Sequence, residues 1–203
     1  MVAASLAGAG RPLSRRDWLE AGQRLLRQRG AAGLKLRPLA ASLGISTGSF
    51  YHHFADFDAF LAALARYYSG EQLAEHIAIV RRDAASPYER IVRASQLAQE
   101  VVLSELIAAM RAWARCDARA AAEVEALEAA LTAFLGECFV ELGFTADEAA
   151  TRAYVMLSAA SGGVAHPVLA GGNGELGRLL LELLCRRPQP TPLFPVEAGT
   201  QAF

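Results

Sequence analysis

Short, hydrogen-bonding side chains cluster in one stretch near the start of the sequence. Residues 44–54 read Gly-Ile-Ser-Thr-Gly-Ser-Phe-Tyr-His-His-Phe. Phe50 and Phe54 are four residues apart, which predicts a helix that buries these two rings on one face and exposes the polar residues on the other. Short polar side chains on a protruding helix can approach base edges in a DNA major groove about 12 Å wide. The stretch therefore predicts nucleic-acid recognition.

Two short helices joined by a three-residue turn are predicted to position this stretch. The buried face of the first helix repeats at i, i+3, i+4 and i+7, with Leu36, Leu39, Ala40 and Leu43. Gly44 is placed to end that helix with a left-handed backbone, and Ser46 or Thr47 to cap the next one. Ala40 is small enough for the two helices to cross closely, which is typical of a helix-turn-helix. Two packed helices in an ordinary bundle are the alternative interpretation.

Residues 14 to about 61 resemble the TetR family of transcriptional regulators. The family's run G-V-S-x-G-x-x-Y-x-x-F is matched here by Gly44 to Phe54. The resemblance implies three helices that bind DNA, a connecting fourth helix, and a bundle that binds an inducer and dimerises through its last two long helices. By position it implies base contacts from Thr47, Gly48 and Ser49, contacts to phosphates and to a base from Tyr51 and His52, and backbone anchors at Ser46, Lys35 and Arg37.

Two positions depart from the family pattern. In the family, a lysine usually stands shortly after the final phenylalanine of the run, at the start of the fourth helix. Here that position is occupied by Phe57. We expect free N–H groups at the start of the fourth helix to bind phosphate instead. Lys35 replaces the Ser or Thr that usually caps the second helix, so a cation stands in place of a cap.

Charge is distributed unevenly along the chain, although the net charge is only −1. Residues 1–54 carry eight basic and two acidic side chains, a net +6, which leaves −7 for the remainder. Such asymmetry indicates that the N-terminal part meets a polyanion.

Several function classes lack any signature in the sequence. There is no G-x-S-x-G, no H-E-x-x-H and no phosphate-cradling glycine loop, so we expect neither an enzyme nor a cofactor. Cys116, Cys138 and Cys185 are too few and too scattered for a disulfide framework or a zinc site. His52 and His53 point about 100° apart on a helix, with no third ligand nearby, so no metal is expected. The absence of a long apolar stretch predicts a soluble, cytoplasmic protein without a membrane segment.

Helical periodicity and capping signals divide the rest of the chain. An all-α fold of about nine helices is predicted, with capping residues at Ser14, Asp56, Ser86 and Thr145. The Asp56 helix is predicted to run to about Arg82, and further helices over 105–116, 117–142 and 175–186. We expect a flexible segment over 1–13, a DNA-binding domain over 14–55, a ligand-binding and dimerisation domain over 56–187, and a disordered proline-rich tail over 188–203.

Two groups of apolar residues in the second half are candidates for binding. A cavity for a small apolar effector is predicted to be lined by Met110, Trp113, Phe134 and Tyr154. A homodimer interface of four helices is predicted from the apolar stripes Ala149, Ala153, Leu157 and Ala160, and Leu176, Leu180 and Leu183. Packing inside the monomer is the alternative for these stripes.

Together these expectations describe a dimeric repressor that leaves a palindromic double-stranded operator when the effector binds. A helical ligand carrier without DNA function is the alternative, and the sequence does not separate a repressor from an activator.

Overall fold

The computed structural model describes residues 13–162 and 175–186, and within these ranges it contains nine α-helices, two 3-10 helices and no strand. The α-helices are α1 (Arg15–Arg29), α2 (Leu36–Ser42), α3 (Phe57–Ser69), α4 (Glu71–Asp83), α5 (Pro87–Gln99), α6 (Val101–Ala114), α7 (Ala118–Glu141), α8 (Ala146–Gly162) and α9 (Glu175–Cys185). The 3-10 helices span Ala31–Gly33 and Thr47–His52. The predicted all-α fold is confirmed. The flexible segment over 1–13, apart from residue 13, and the tail over 188–203 lie outside the described residues.

Reciprocal caps begin three of these helices where the sequence predicted them. At α1 the Asp17 carboxylate accepts from the Ser14 backbone N–H at 2.6 Å, while the Asp17 N–H donates to the Ser14 hydroxyl at 3.3 Å. Ser86 with Glu89 forms the same pair of bonds at α5, and Thr145 begins α8 in the same way. These caps depend on side chains three residues apart, so they need no tertiary contact.

The predicted long helix from Asp56 to Arg82 is wrong, because the chain breaks at Gly70 into α3 and α4. Gly70 has φ −97° and ψ −98°, and a Cβ there would lie 2.9 Å from the Arg66 carbonyl oxygen. Glycine therefore lets the backbone turn between the two helices. The helix predicted over 105–116 also begins earlier, at Val101.

Two hydrophobic clusters form the interior. The first joins α1, α2, the second 3-10 helix and α3 to α6 and the start of α7, with Trp18, Phe50, Phe60 and Met110 fully buried. The second joins α4 and α5 to α7, α8 and α9 around Phe139. The core of the N-terminal helices thus continues into α6 and α7 beyond residue 55, so the two halves share a packed boundary.

An arginine links the first turn of α7 to the first turn of α3. Arg119 donates to the Asp58 carboxylate at 3.1 Å and to the Asp117 carboxylate at 2.9 Å. Across the described ranges, no helix is long and apolar enough to cross a bilayer.

Candidate nucleic-acid interface and internal cavity

The turn between α2 and the Thr47–His52 helix is formed by a left-handed glycine. Gly44 has φ +71°, a conformation that side-chain-bearing residues rarely adopt. Its N–H donates to the Ala41 carbonyl at 3.1 Å, and the Ile45 N–H donates to the Ala40 carbonyl at 3.2 Å. Ala40 is buried, as predicted for the crossing point. The predicted helix-turn-helix connection is confirmed in this geometry.

The recognition segment, residues Thr47–His52, is a 3-10 helix instead of the α-helix that the periodicity predicted. The Ser49 N–H donates to the Ser46 carbonyl at 3.3 Å, and the His53 N–H donates to the Phe50 carbonyl at 2.9 Å, both with i→i+3 spacing. Thr47, Gly48 and Ser49 have weak α-helix propensities, which favours this short, tight form.

Aromatic rings fix the recognition segment to the rest of the N-terminal half. Phe50 is fully buried, with its ring centroid 5.3 Å from Trp18, 5.2 Å from Phe54 and 5.7 Å from Phe60. Tyr51 meets the Phe50 ring at 90° and is 59% exposed. The segment therefore has a rigid inner face and an accessible outer face.

The side chains predicted to contact DNA lie on this outer face or at the start of α2. Exposed positions are Lys35, Arg37, Ser46, Gly48, Tyr51 and His52, and half-buried ones are Thr47 and Ser49. A Cβ at Gly48 would meet only the Ser46 hydroxyl, at 3.7 Å. Internal packing therefore does not require glycine at position 48.

The start of α3 differs from the expectation of a phosphate site. The Asp56 carboxylate accepts from the Ala59 N–H at 2.7 Å and caps the helix. Phe57 packs on Phe60, with ring centroids 5.4 Å apart. The exposed Asp56 carboxylate puts negative charge where a phosphate would lie, so this end of α3 disfavours an anion.

Arg15 is a further cation beside the recognition segment that the sequence analysis missed. Its guanidinium lies 5.1 Å from the centre of the Phe54 ring, and its side chain is exposed. Its neighbour Arg16 instead pairs with Glu75 and Glu20 at 2.6 and 2.9 Å. The sequence places Arg15 in the capped first turn of α1, but only the fold brings this side chain next to Phe54.

An internal cavity of about 90 Å³ lies where α3, α4, α5, α6 and α7 meet. Its lining comprises Tyr68, Gln72, Leu73, His76, Ile77, Val80, Ala94, Leu97, Ala98, Leu103, Ile107, Leu127, Leu131 and Phe134. Of the four residues predicted to line a cavity, only Phe134 does so. Met110 and Trp113 are buried in the first cluster, and the Tyr154 side chain is 69% exposed on α8.

The polar groups of the cavity wall come from α3 and α4. Burial raises the pKa of the Tyr68 phenol to about 12 and lowers the pKa of His76 below its usual value of 6.5. Both side chains are therefore neutral at pH 7. Because Gln72 is also uncharged, no described lining residue carries a charge. The sequence signal for this wall was the spacing of four between Gln72 and His76 within an otherwise apolar stripe.

Comparison with protein-family models identifies a segment near the start of the chain. Residues 19–64 match the model of bacterial regulatory proteins of the tetR family. This range includes α2, the recognition segment and most of α3. This part of the chain is a TetR-family domain.

Solved structures share the fold of this chain over most of its length. A transcriptional regulator from Rhodococcus sp. Rha1 is 21% identical, with a TM-score of 0.67 over 85% of this chain and 94% of that one. A TetR transcriptional regulator from Legionella pneumophila is 14% identical, with a TM-score of 0.69 over 86% and 97%. The reduced form of NemR from E. coli is 19% identical, with a TM-score of 0.65 over 84% and 94%. Comparison with curated protein sequences gives no significant match.

These findings make the chain a DNA-binding transcriptional regulator rather than an enzyme. Regulators of this family bind operator DNA and ligands and act as dimers. Across residues 13–162 and 175–186, no group of three or more His, Cys, Asp or Glu side chains is arranged to hold a metal ion.

The residues predicted for the regulator's dimer interface are divided between two faces of α8 and α9. Ala149 and Ala153 are buried in the second cluster, so they belong to the core of the monomer and not to the predicted interface. Small side chains at these positions let α8 pack closely on α7. Leu157 and Leu180 are half-buried against the same cluster, while Leu183 is 68% exposed. The side chains of Ala160 and Leu176 lie outside the described part of the chain.

Proposed function

We propose that this regulator is a repressor that binds a palindromic operator as a homodimer and leaves it when a small uncharged molecule enters the cavity. In this proposal residues 14–55 bind DNA, and residues 56–187 bind the effector and dimerise. The observation that carries it is the recognition segment, whose polar side chains are exposed or half-buried on an outer face while aromatic packing holds its inner face rigid.

The DNA contacts that we propose follow from the position of each side chain. Thr47, Gly48 and Ser49 face base edges, and Tyr51 and His52 bind phosphates at the far end of the segment. The set is completed by the backbone anchors Ser46, Lys35 and Arg37, with Arg15 added beside Phe54. Within the described ranges neither Lys35 nor Arg37 has an ion-pair partner, so both cations are available to phosphates.

We propose that the homodimer forms through the outer face of α8 and α9. The large apolar side chains exposed on these helices are Tyr154, Val155, Leu179 and Leu183. An exposed apolar face formed by two helices is typical of a surface that meets a second copy. A two-fold axis would place two recognition segments about 34–36 Å apart, one turn of DNA, or a multiple of that distance.

The effector acts by shifting the population between two arrangements of the dimer. An apolar, uncharged wall selects a molecule of the same character. A molecule that prefers the non-binding arrangement about 100-fold supplies about 2.7 kcal/mol of coupling per site. That is sufficient to lower operator occupancy substantially, because both half-sites must be held together.

The experiment that tests this function begins by selecting duplexes from a random DNA pool with the purified chain. We expect an enriched palindrome, two chains per duplex in sedimentation, and reduced transcription from a promoter that contains the palindrome. An enriched site that increases transcription would identify an activator. If no duplex is enriched while small apolar molecules still bind, the chain is a ligand carrier and the proposal is wrong.

A further inference from the structure

Gln72 belongs both to the cavity wall and to the contact between α4 and α1. Its side-chain oxygen accepts from Gln23 Nε2 at 2.8 Å, and its own Nε2 donates to the Gln23 oxygen at 3.4 Å. Gln23 is the only buried polar residue within the described ranges, with 7% of its surface exposed. A reciprocal amide pair therefore joins the cavity to the N-terminal half of the protein.

This amide pair is the better-shielded of two side-chain links between α1 and α4. The other link is the ion pair between Arg16 and Glu75, whose side chains are 49% and 48% exposed. Exposed ion pairs are screened by water and salt and contribute little. The Gln23–Gln72 pair therefore has the larger influence on how α1 is held against α4.

The helix α1 connects this pair to the recognition segment. Gln23 lies on the same helix as Trp18, whose ring packs edge-on against Phe50 at 5.3 Å. A shift of α1 therefore reaches the recognition segment through buried, closely packed rings, which transmit displacement well.

Gln72 and His76 give the apolar cavity one polar patch. They are four residues apart on α4 and so share one face. The other described lining residues, except Tyr68, are apolar. A ligand with a single hydrogen-bonding group can satisfy that group here, whereas an ion would find no opposite charge.

We propose that the cavity takes an uncharged, mainly apolar molecule with one hydrogen-bonding group, and that this group binds the Gln72 amide in place of Gln23. This inference rests on the proposed function, in which the cavity is the effector site. Loss of the pair leaves Gln23 buried without a partner, which is unfavourable. The helix α1 then moves relative to α4, and the two recognition segments leave their operator spacing.

Three probes with the same ring and methyl group test the ligand class on the full chain: toluene, p-cresol and 4-methylbenzoate. We expect p-cresol to bind about fivefold more tightly than toluene, because its hydroxyl can bond to both Gln72 and His76 in the polar patch, one bond more than the Gln23 contact that it replaces. The charged 4-methylbenzoate should not bind. Ala98→Phe, which fills the cavity, should abolish binding of both neutral probes. Equal binding of toluene and p-cresol, no binding of either, or tight binding of 4-methylbenzoate would overturn the proposal.

Two substitutions of the amide pair separate competition from structural damage. Gln72→Met should keep toluene binding but remove the preference for p-cresol. Gln23→Leu should tighten p-cresol binding about threefold, because Gln72 no longer has a competing partner. Weaker or unchanged p-cresol binding in Gln23→Leu would overturn the displacement step, since a purely structural role predicts no tightening.

The effect on DNA is measured with the selected operator duplex. For the wild-type chain, p-cresol should weaken operator binding and toluene at the same occupancy should not; Gln72→Met should abolish the effect of p-cresol. Failure of p-cresol to weaken binding overturns the coupling. Failure of the probe-free chain to bind any duplex instead contradicts the proposed function, and the binding comparison in Gln23→Leu still decides the displacement step.

Discussion

The packing between α1 and α3 depends on the absence of a side chain at Gly22. A Cβ at this position would lie 2.7 Å from Phe60 Cζ and 3.2 Å from two Leu64 methyl groups. Ordinary contact begins near 3.4 Å, so in Gly22→Ala the Phe60 ring must move by about 0.7 Å. Phe50 and Phe54 lie 5.7 and 5.2 Å from that ring and resist the movement.

The expected loss of stability follows from two opposing contributions. Overpacking of a tight core costs about 1–3 kcal/mol, whereas replacing glycine by alanine inside a helix contributes about 0.5–1 kcal/mol of stability. Gly22→Ala should therefore lower the free energy of unfolding by about 1–2 kcal/mol. For a chain of this size that is a fall in Tm of roughly 2–8 °C.

Gly136→Ala in α7 is the matched control, because a Cβ there meets nothing within 4 Å. Urea denaturation followed by circular dichroism at 222 nm, a standard helix wavelength, measures both variants. The control should gain about 0.5–1 kcal/mol, since only helix propensity changes. A Gly22→Ala protein as stable as the wild type would refute the tight α1–α3 packing.

Three further predictions concern the recognition segment, the start of α7 and the dimer. Gly48→Ala should leave the free energy of unfolding within about 0.5 kcal/mol of the wild type but weaken operator binding about tenfold, because the added methyl group occupies space needed by a base edge. Unchanged binding in an anisotropy titration would contradict a close approach of residue 48 to the DNA. The Arg119 guanidinium holds the pKa of Asp117 at about 2, below the value of about 3.9 in the unfolded chain, so this stabilisation is complete above about pH 4 and is lost as the pH falls through 2. Asp117→Asn keeps a capping side chain without the charge, and its stability deficit should be present at pH 6 and vanish near pH 2; a deficit independent of pH would be inconsistent with this pairing. Leu183→Glu should convert the dimer to monomers in sedimentation velocity. Val102→Glu, at an apolar residue that is 59% exposed on α6, should leave the dimer intact. Dissociation of both variants, or of neither, would reject the α8–α9 face as the dimer interface.

Helix starts could be predicted from the sequence because their causes are local. Ser14, Ser86 and Thr145 each cap a helix with a partner three residues away. The turn at Gly44 was predictable for the same reason, since a glycine in a left-handed conformation ends a helix without help from distant residues. The break at Gly70 was not, because α3 and α4 together continue one helical pattern and the chain turns only to let both helices pack.

The faces of the helices were predictable, but the partners that cover them were not. Ala149 and Ala153 form an apolar stripe, and the sequence contains no information on whether α7 or a second copy covers it. Met110 and Trp113 were predicted beside Phe134 because all three are large and apolar. The structure separates them because the cavity arises from the relative placement of five helices, which periodicity in a single helix does not encode.

The direct test of DNA recognition compares two exposed tyrosines on the selected operator duplex. Tyr51 is 59% exposed on the recognition segment, and Tyr88 is 42% exposed on α5. An anisotropy titration with nonspecific competitor should show wild-type affinity falling by roughly a thousandfold between about 50 and 200 mM salt, as several phosphate contacts require. Tyr51→Ala should weaken binding more than about tenfold while Tyr88→Ala binds like the wild type. Equal affinities for the two variants, or binding that salt does not weaken, would contradict DNA recognition through this segment.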